Sequence, residues 1–279
     1  MKVAYLSGQR LATASVKPML EDLFGRAQTS AIPCETLGQI DLNEIDLLFL
    51  PGTVGEISPY SEILTPAAID NLTRAIFDRG LIIWSDCAAT YHMCRAVEYH
   101  ASTGELRHRQ GLGLIDASAK GPIKGQAVAP SLQDRFADVV IQRVRYTGDN
   151  NLEHYADICY GNGPGLHLDA AELSNPDVEV LAWYHGTEQD TAAAVAKKLG
   201  RGLVMSLGVL VQISPDHLAG KFTHPALERH REALFNHLSG ANHTRKHFLD
   251  RVLARINNHY ANLRNSGTTA PFLLQTRHA

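Results

Sequence analysis

The sequence predicts an α/β domain on three observations. Short, fully apolar runs of strand length occur at Val3 to Ser7, Asp46 to Leu50 and Leu81 to Trp84. Helical stretches lie between them, and glycine or proline marks the junctions. Strands apolar on both faces belong to a parallel sheet covered on both sides. The expected architecture is a mostly parallel central sheet with helices on both faces and a C-terminal helical extension.

Each element follows from local pattern. Val3 to Ser7 is a strand ending at Gly8, and Val16 to Gly25 is a helix closed by glycine. Ser30 to Cys34 supplies a second strand, and Asp46 to Leu50 a third, stopped by Pro51-Gly52. Thr65 is a suitable N-cap with Pro66 at the first helical position, and that helix runs to Arg79 before Gly80. Leu81 to Trp84 is the next buried strand. Residues 99–145 show few clear periods. Beyond or overlapping them, Ala137 to Tyr146, Tyr155 to Tyr160 and Val178 to Tyr184 read as strands, expected to extend the sheet in mixed or antiparallel fashion. Ala192 to Lys197 and Gly202 to Leu207 form a hairpin across Leu199-Gly200-Arg201. From His224 the chain turns helical, as two helices over roughly 224–239 and 243–264. Leu249, Val252, Leu253, Ile256, Tyr260 and Leu263 share one face. The expected division is an α/β domain over 1–222, a helical extension packed on it over 223–265, and a flexible tail over 266–279.

Composition narrows the function classes. The chain has 279 residues, 44% of them hydrophobic and 20% charged, with net charge -3. That length can bury a full core, and that charge disfavours a protein that binds nucleic acid over its whole surface. No apolar run reaches the length of a membrane span, and the first residues read as a strand rather than a signal peptide. The four cysteines, Cys34, Cys87, Cys94 and Cys159, are scattered without zinc-type pairs, as in reduced cytoplasmic proteins. No cofactor motif is present: the glycine-rich stretch Gly161 to Gly165 lacks the strand–GxGxxG–helix context and a P-loop lysine. His243, His247 and Asp250 fall on one helix face, but a solvated polar face accounts for them better than a metal site, and none is assigned. The locally basic C-terminal helix reads likewise as an exposed face.

The segment Trp84-Ser85-Asp86-Cys87-Ala88-Ala89-Thr90-Tyr91 carries the chemistry. It passes from a buried strand through a tight turn into a helix. Ser85 and Ala89, two positions either side of Cys87, are small enough for a nucleophile elbow. A cysteine there lies at a helix N-terminus, which favours its thiolate and predicts the most readily alkylated thiol of the chain. The alternative is a small buried thiol closing a strand.

The chain resembles the N-terminal domain of eukaryotic-type biotin-protein ligases, a branch of the class I glutamine amidotransferase-like superfamily with a flavodoxin-like sheet. The pieces that carry the resemblance are Tyr5-Leu6-Ser7-Gly8, Phe49 to Gly52 with Pro59-Tyr60, and Trp84 to Tyr91, followed by Cys159 to Gly165 with Asp169, and Val178 to Ala182 leading to Gly200-Arg201-Gly202. They span residues 1 to about 213. These 279 residues are too few to hold the ligase's catalytic and carrier-recognition domains as well, so biotinylation is not carried over. The resemblance implies Cys87 as nucleophile. It implies an oxyanion hole from the N–H groups of Thr53, beside Gly52, and Ala88. Tyr60, Asp86, Tyr91, Asn162 and Gly163 complete the implied pocket.

Active members of that superfamily place a histidine and an acid after a late strand. Here Leu210 and Gln212 fall at those positions. Leucine takes no proton, and glutamine cannot stabilise an imidazolium by charge. The nearest replacement is His217 with Asp216; His92 and His167 are further candidates. Two functions therefore follow as expectations. The first is a small-molecule-binding or regulatory module, a pseudoenzyme, without glutaminase activity. The second is a cysteine-dependent hydrolase or amidotransferase on a small amide, with Cys87 and a relocated base such as His217. A scaffold acting through its C-terminal helices is a third. The expected partner is a small-molecule ligand or amide substrate, with no nucleic acid and no membrane, in a chain able to form a homo-oligomer.

Overall fold

A computed structural model describes residues 1–55, 58–123, 139–148, 151–187, 191–218 and 228–266. The chain opens with β1 (Val3–Ser7), α1 (Val16–Phe24), β2 (Thr29–Pro33) and β3 (Leu47–Leu50). Then come α2 (Tyr60–Ile63), α3 (Pro66–Arg74), β4 (Ile82–Asp86) and, without a break, α4 (Cys87–Met93). β5 (Cys94–His100), β6 (Leu106–Gln110) and β7 (Ile115–Gly121) follow, then β8 (Val140–Thr147), β9 (Glu153–Tyr160) and β10 (Gly165–Leu168). The last elements are α5 (Ala170–Leu173), β11 (Val178–Tyr184), β12 (Ala192–Leu199), β13 (Gly202–Leu207), α6 (Pro215–Leu218) and α7 (Glu228–Ser266).

The strands join one mixed sheet in the order β2-β1-β3-β4-β13-β12-β10-β7-β5-β6, with β11, β8 and β9 branching from β12. The block β2-β1-β3-β4-β13 is parallel throughout. The hairpin of β12 and β13 is antiparallel, so the later strands extend the sheet in mixed fashion. Pleating divides each central strand between two cores. Leu48, Leu50 and Ile83 face one core, roofed by Ala68 and Leu72 of α3. Phe49, Ile82 and Trp84 face the other, roofed by Val16 and Leu20 of α1 and by Phe248, Val252 and Ile256 of α7.

Local signals explain several boundaries. Thr65 Oγ1 accepts the Ala68 N–H at 3.2 Å, with Pro66 at the first helical position, as the sequence predicts. The helix then loosens into one π turn over Ala75–Arg79 and stops at Gly80, whose φ of 88° suits glycine. β5 to β7 lie where the sequence shows no clear period. Burial in β6 is mostly slight, so hydrophobic alternation does not announce it.

The C-terminal region differs from expectation. Glu228–Ser266 is one helix of 39 residues, not two. Gly240 costs helix stability of about 1 kcal/mol relative to alanine, but packing on both sides of it carries the helix through. The predicted apolar face is real: Leu249, Val252 and Ile256 are buried, and Leu253 and Tyr260 pack beside them. Among the described residues no helix is long and apolar enough to cross a membrane. Of the expected tail over 266–279, Ser266 is the last residue of α7, and 267–279 lie outside the described residues, as does the helix start at 224–227.

Candidate functional site

β4 delivers Asp86 and Cys87 to the C-terminal edge of the parallel block, where ligands of open α/β sheets bind. Cys87 has φ 45°, a left-handed conformation that costs a non-glycine residue energy and needs surrounding structure to hold it. A chain of buried hydroxyls holds the turn. Ser85 Oγ lies 2.9 Å from Ser206 Oγ of β13 and 3.1 Å from Thr90 Oγ1, which itself donates to the Leu207 carbonyl at 2.9 Å. The small residues around Cys87 thus match a cramped turn, and Ser85 also ties it to the neighbouring strand.

Gly52 faces the turn from the end of β3. A Cβ there would lie 3.0 Å from Cys87 Cβ and 3.3 Å from Asp86 Oδ1, so any side chain would press on both residues. Only glycine, without a Cβ, allows so close an approach.

The loop after β9 closes the other side. Cys87 Sγ donates to the Gly161 carbonyl at 3.0 Å. The next three carbonyls each accept a tyrosine hydroxyl: Asn162 from Tyr91 at 3.0 Å, Gly163 from Tyr160 at 2.8 Å, and Pro164 from Tyr184 at 3.0 Å. Four consecutive carbonyls are therefore satisfied by side chains, which fixes a loop that regular secondary structure does not hold. Asn162 has φ 62°, and Gly163 packs so closely that a Cβ would lie 2.0 Å from the Gly208 carbonyl oxygen.

A cleft of about 190 Å³ opens above Cys87. Of the residues that the resemblance implies for the site, Gly52, Thr53, Cys87, Ala88, Tyr91 and Asn162 line it. Tyr60, Asp86, Gly163 and His217 do not. Tyr60 is buried and donates to the Pro51 carbonyl at 2.7 Å, steadying the loop that carries Gly52. Asp86 lies behind the cleft, fully buried, with Oδ2 accepting from Gln212 Nε2 at 2.5 Å. Gly163 serves packing, through its contact with Gly208. His217 sits in α6, with Nδ1 accepting from the Ser214 N–H at 3.1 Å and 2.9 Å from Ser214 Oγ.

Leu210 and Gln212 both line the cleft, and the Leu210 N–H donates to the Cys159 carbonyl at 2.7 Å. His92 is the imidazole in the cleft wall, 3.3 Å from Ser58 Oγ. Burial and the neighbouring Arg109 push its pKa down to about 4, so it is neutral at physiological pH. His167 lies on β10 and does not line the cleft; burial lowers its pKa. His247 turns inward to Tyr146, with Nδ1 2.6 Å from the phenolic oxygen. Among the described residues no group of three or more His, Cys, Asp or Glu is placed to hold a metal.

The expected thiolate does not follow from this environment. Burial, then the Asp86 carboxylate, push the Cys87 thiol well above its ordinary range, and the Ala88 N–H offsets only part of that. Helix position is outweighed by desolvation. Burial likewise pushes Cys94 and Cys159 up to about 12. Cys34 is the one cysteine not buried. Limiting iodoacetamide at neutral pH is expected to label Cys34 first, read by peptide mapping; preferential labelling of Cys87 would mean that the cleft stabilises its thiolate after all.

Sequence reasoning missed the far wall of the cleft, formed by Val97 and Tyr99 of β5 and Arg107 and Arg109 of β6. The signal available was the i, i+2 repeat of arginines in Leu106–Gln110, visible only once that stretch is read as a strand.

A family model described as biotin-protein ligase, N terminal, matches residues 41–276. The chain belongs to that family. Membership covers the Gly52 loop, the Cys87 turn and the loop after β9, three of the pieces that carried the sequence resemblance. Among solved structures, a glutamine amidotransferase from Thermotoga maritima is similar over 92% of this chain and 98% of its own, at 14% identity and a TM-score of 0.53. A β-galactosidase from Bacillus circulans sp. alkalophilus matches 75% of this chain but 28% of its own length, at 14% identity and a TM-score of 0.45. At such identity the amidotransferase match shows the fold alone: this biotin-protein ligase N-terminal family chain has the α/β, flavodoxin-like architecture of class I glutamine amidotransferase-like proteins. No curated protein matches the sequence.

Proposed function

We propose that this chain is a small-molecule-binding or regulatory module that keeps an amidotransferase-like cleft and has lost glutaminase chemistry. The observation that carries the reading is the partner of the thiol. Cys87 donates to a backbone carbonyl, Gly161, rather than to an imidazole, and Leu210, at the sequence position that the resemblance assigns to a histidine, lines the same cleft. A carbonyl cannot take the proton, so the hydrogen bond holds the thiol form instead of activating it. Gln212 is bound to Asp86 and acts as a structural partner of the turn. The four cysteines are free, which suits a reducing compartment such as the cytoplasm.

The rival reading, a cysteine-dependent amidohydrolase, draws its support from the strained φ of Cys87 at the floor of a cleft. It needs a base. His217 is engaged with Ser214, and His92 is neutral and bonded to Ser58, so His92 is the better placed of the two.

Ammonia release from glutamine separates these readings. Positioned general acid–base catalysis is worth about a hundred- to ten-thousandfold. Wild type is expected to stay within a few-fold of Cys87→Ala. Robust release lost in Cys87→Ala and in His92→Ala or His217→Ala would sink the module reading and identify the base.

A further inference from the structure

β6 is paired antiparallel with β5, so that Arg107 stands opposite Tyr99 and Arg109 opposite Val97. Arg107 and Arg109 are two residues apart and therefore share one face of the strand. All four residues line the cleft, so the hairpin turns two guanidinium groups over its mouth. Arg107 is paired with Glu105, which stands outside the cleft, whereas Arg109 makes no ion pair among the described residues. The described lining contains no Asp or Glu. His92 adds no charge, being held neutral by burial. In a chain of net charge -3 this is a local concentration of positive charge in a concave site.

We infer that the cleft binds a small carboxylate without a free ammonium group, with its carboxylate on Arg107 and Arg109. Guanidinium and carboxylate suit one another as planar partners. An ammonium on the ligand would lie beside two arginines, and that repulsion selects against free α-amino acids. The inference rests on the binding-module reading and names its ligand class.

Calorimetric titration of the full chain with succinamate, succinamide and asparagine tests it. The three share a carbon skeleton and differ in charge: anion, neutral diamide and zwitterion. Succinamate is expected to bind on the order of tenfold more tightly than either of the others. Arg109→Gln should erase most of that preference, with Arg109→Lys restoring part, and added salt should weaken it. Equal affinities, no binding of any of the three at millimolar concentration, or a preference that survives in both Arg107→Gln and Arg109→Gln would overturn the assignment. Ammonia release from glutamine would instead overturn the module reading and leave the order of these affinities untouched, so the two failures are distinguishable.

Discussion

Relative to Asp86→Asn, wild type is expected to lose about 1–2 kcal/mol of stability between roughly pH 6.5 and pH 8. Burial at the end of β4 pushes the Asp86 carboxyl up to about 8, against weaker lowering by the Gly52 N–H and the Gln212 amide. The unfolded chain titrates near pH 3.9. Between those values the folded state holds a proton that the unfolded state has released. The stabilisation is therefore complete below the unfolded pKa and is lost as pH rises through the folded one. Below about pH 6.5 the effect is masked. His92, lowered to about 4, and His167 and His259, also lowered by burial, must be charged in the unfolded chain first and give the opposite slope. From about pH 7.5 the buried thiols begin to titrate in the unfolded state. These contributions are common to both proteins, so the difference between them isolates Asp86. Urea unfolding at several pH values reads it, and a difference that stays flat over the interval would place the proton elsewhere.

That carboxyl also shows how far the sequence speaks. The apolar runs of β1, β3 and β4 are visible because both faces are buried, and the turn at Cys87 is visible because cramped backbone needs Ser85 and Ala89 nearby. Thr65-Pro66 and Gly80 mark α3 and its end through capping chemistry that is wholly local. What stayed hidden depends on distant partners. The thiol of Cys87 was expected to ionise readily because a helix starts there, but burial and Asp86 decide its state. The arginines of β6 stand in a stretch without a clear period, and only the pairing of β5 with β6 brings them to the cleft. His217 lies seven residues beyond Leu210 and five beyond Gln212, the positions implied for a histidine and an acid, and only the path of the chain after β13 shows that it bonds to Ser214. The two-helix expectation failed at Gly240 for a similar reason, since propensity is local and the packing of α7 is not.

Phe248→Ala is expected to cost about 3–5 kcal/mol, the range for deleting a large buried aromatic, and that is a large share of a typical domain's 5–15 kcal/mol. Phe248 is fully buried in the core between α7 and the sheet, with its ring 5.2 Å from that of Tyr146 on β8. The loss should reach the cleft as well as the helix. α7 packs along β9, and β9 runs directly into the loop whose Gly161 carbonyl receives the Cys87 thiol. One turn earlier on the helix, buried Arg245 donates to the Val211 carbonyl at 2.6 Å, between the cleft residues Leu210 and Gln212. A cavity at Phe248 loosens the surface that holds both segments in place. Urea unfolding should show the lowered midpoint with an unchanged slope. Amide exchange should show reduced protection in β9 and at Gly161 while β1 and β3, on the far side of the central strand β4, keep theirs. A loss below about 1 kcal/mol would mean that α7 contributes little to the fold, and uniform loss of protection across the sheet would mean that its effect is global rather than relayed through β9.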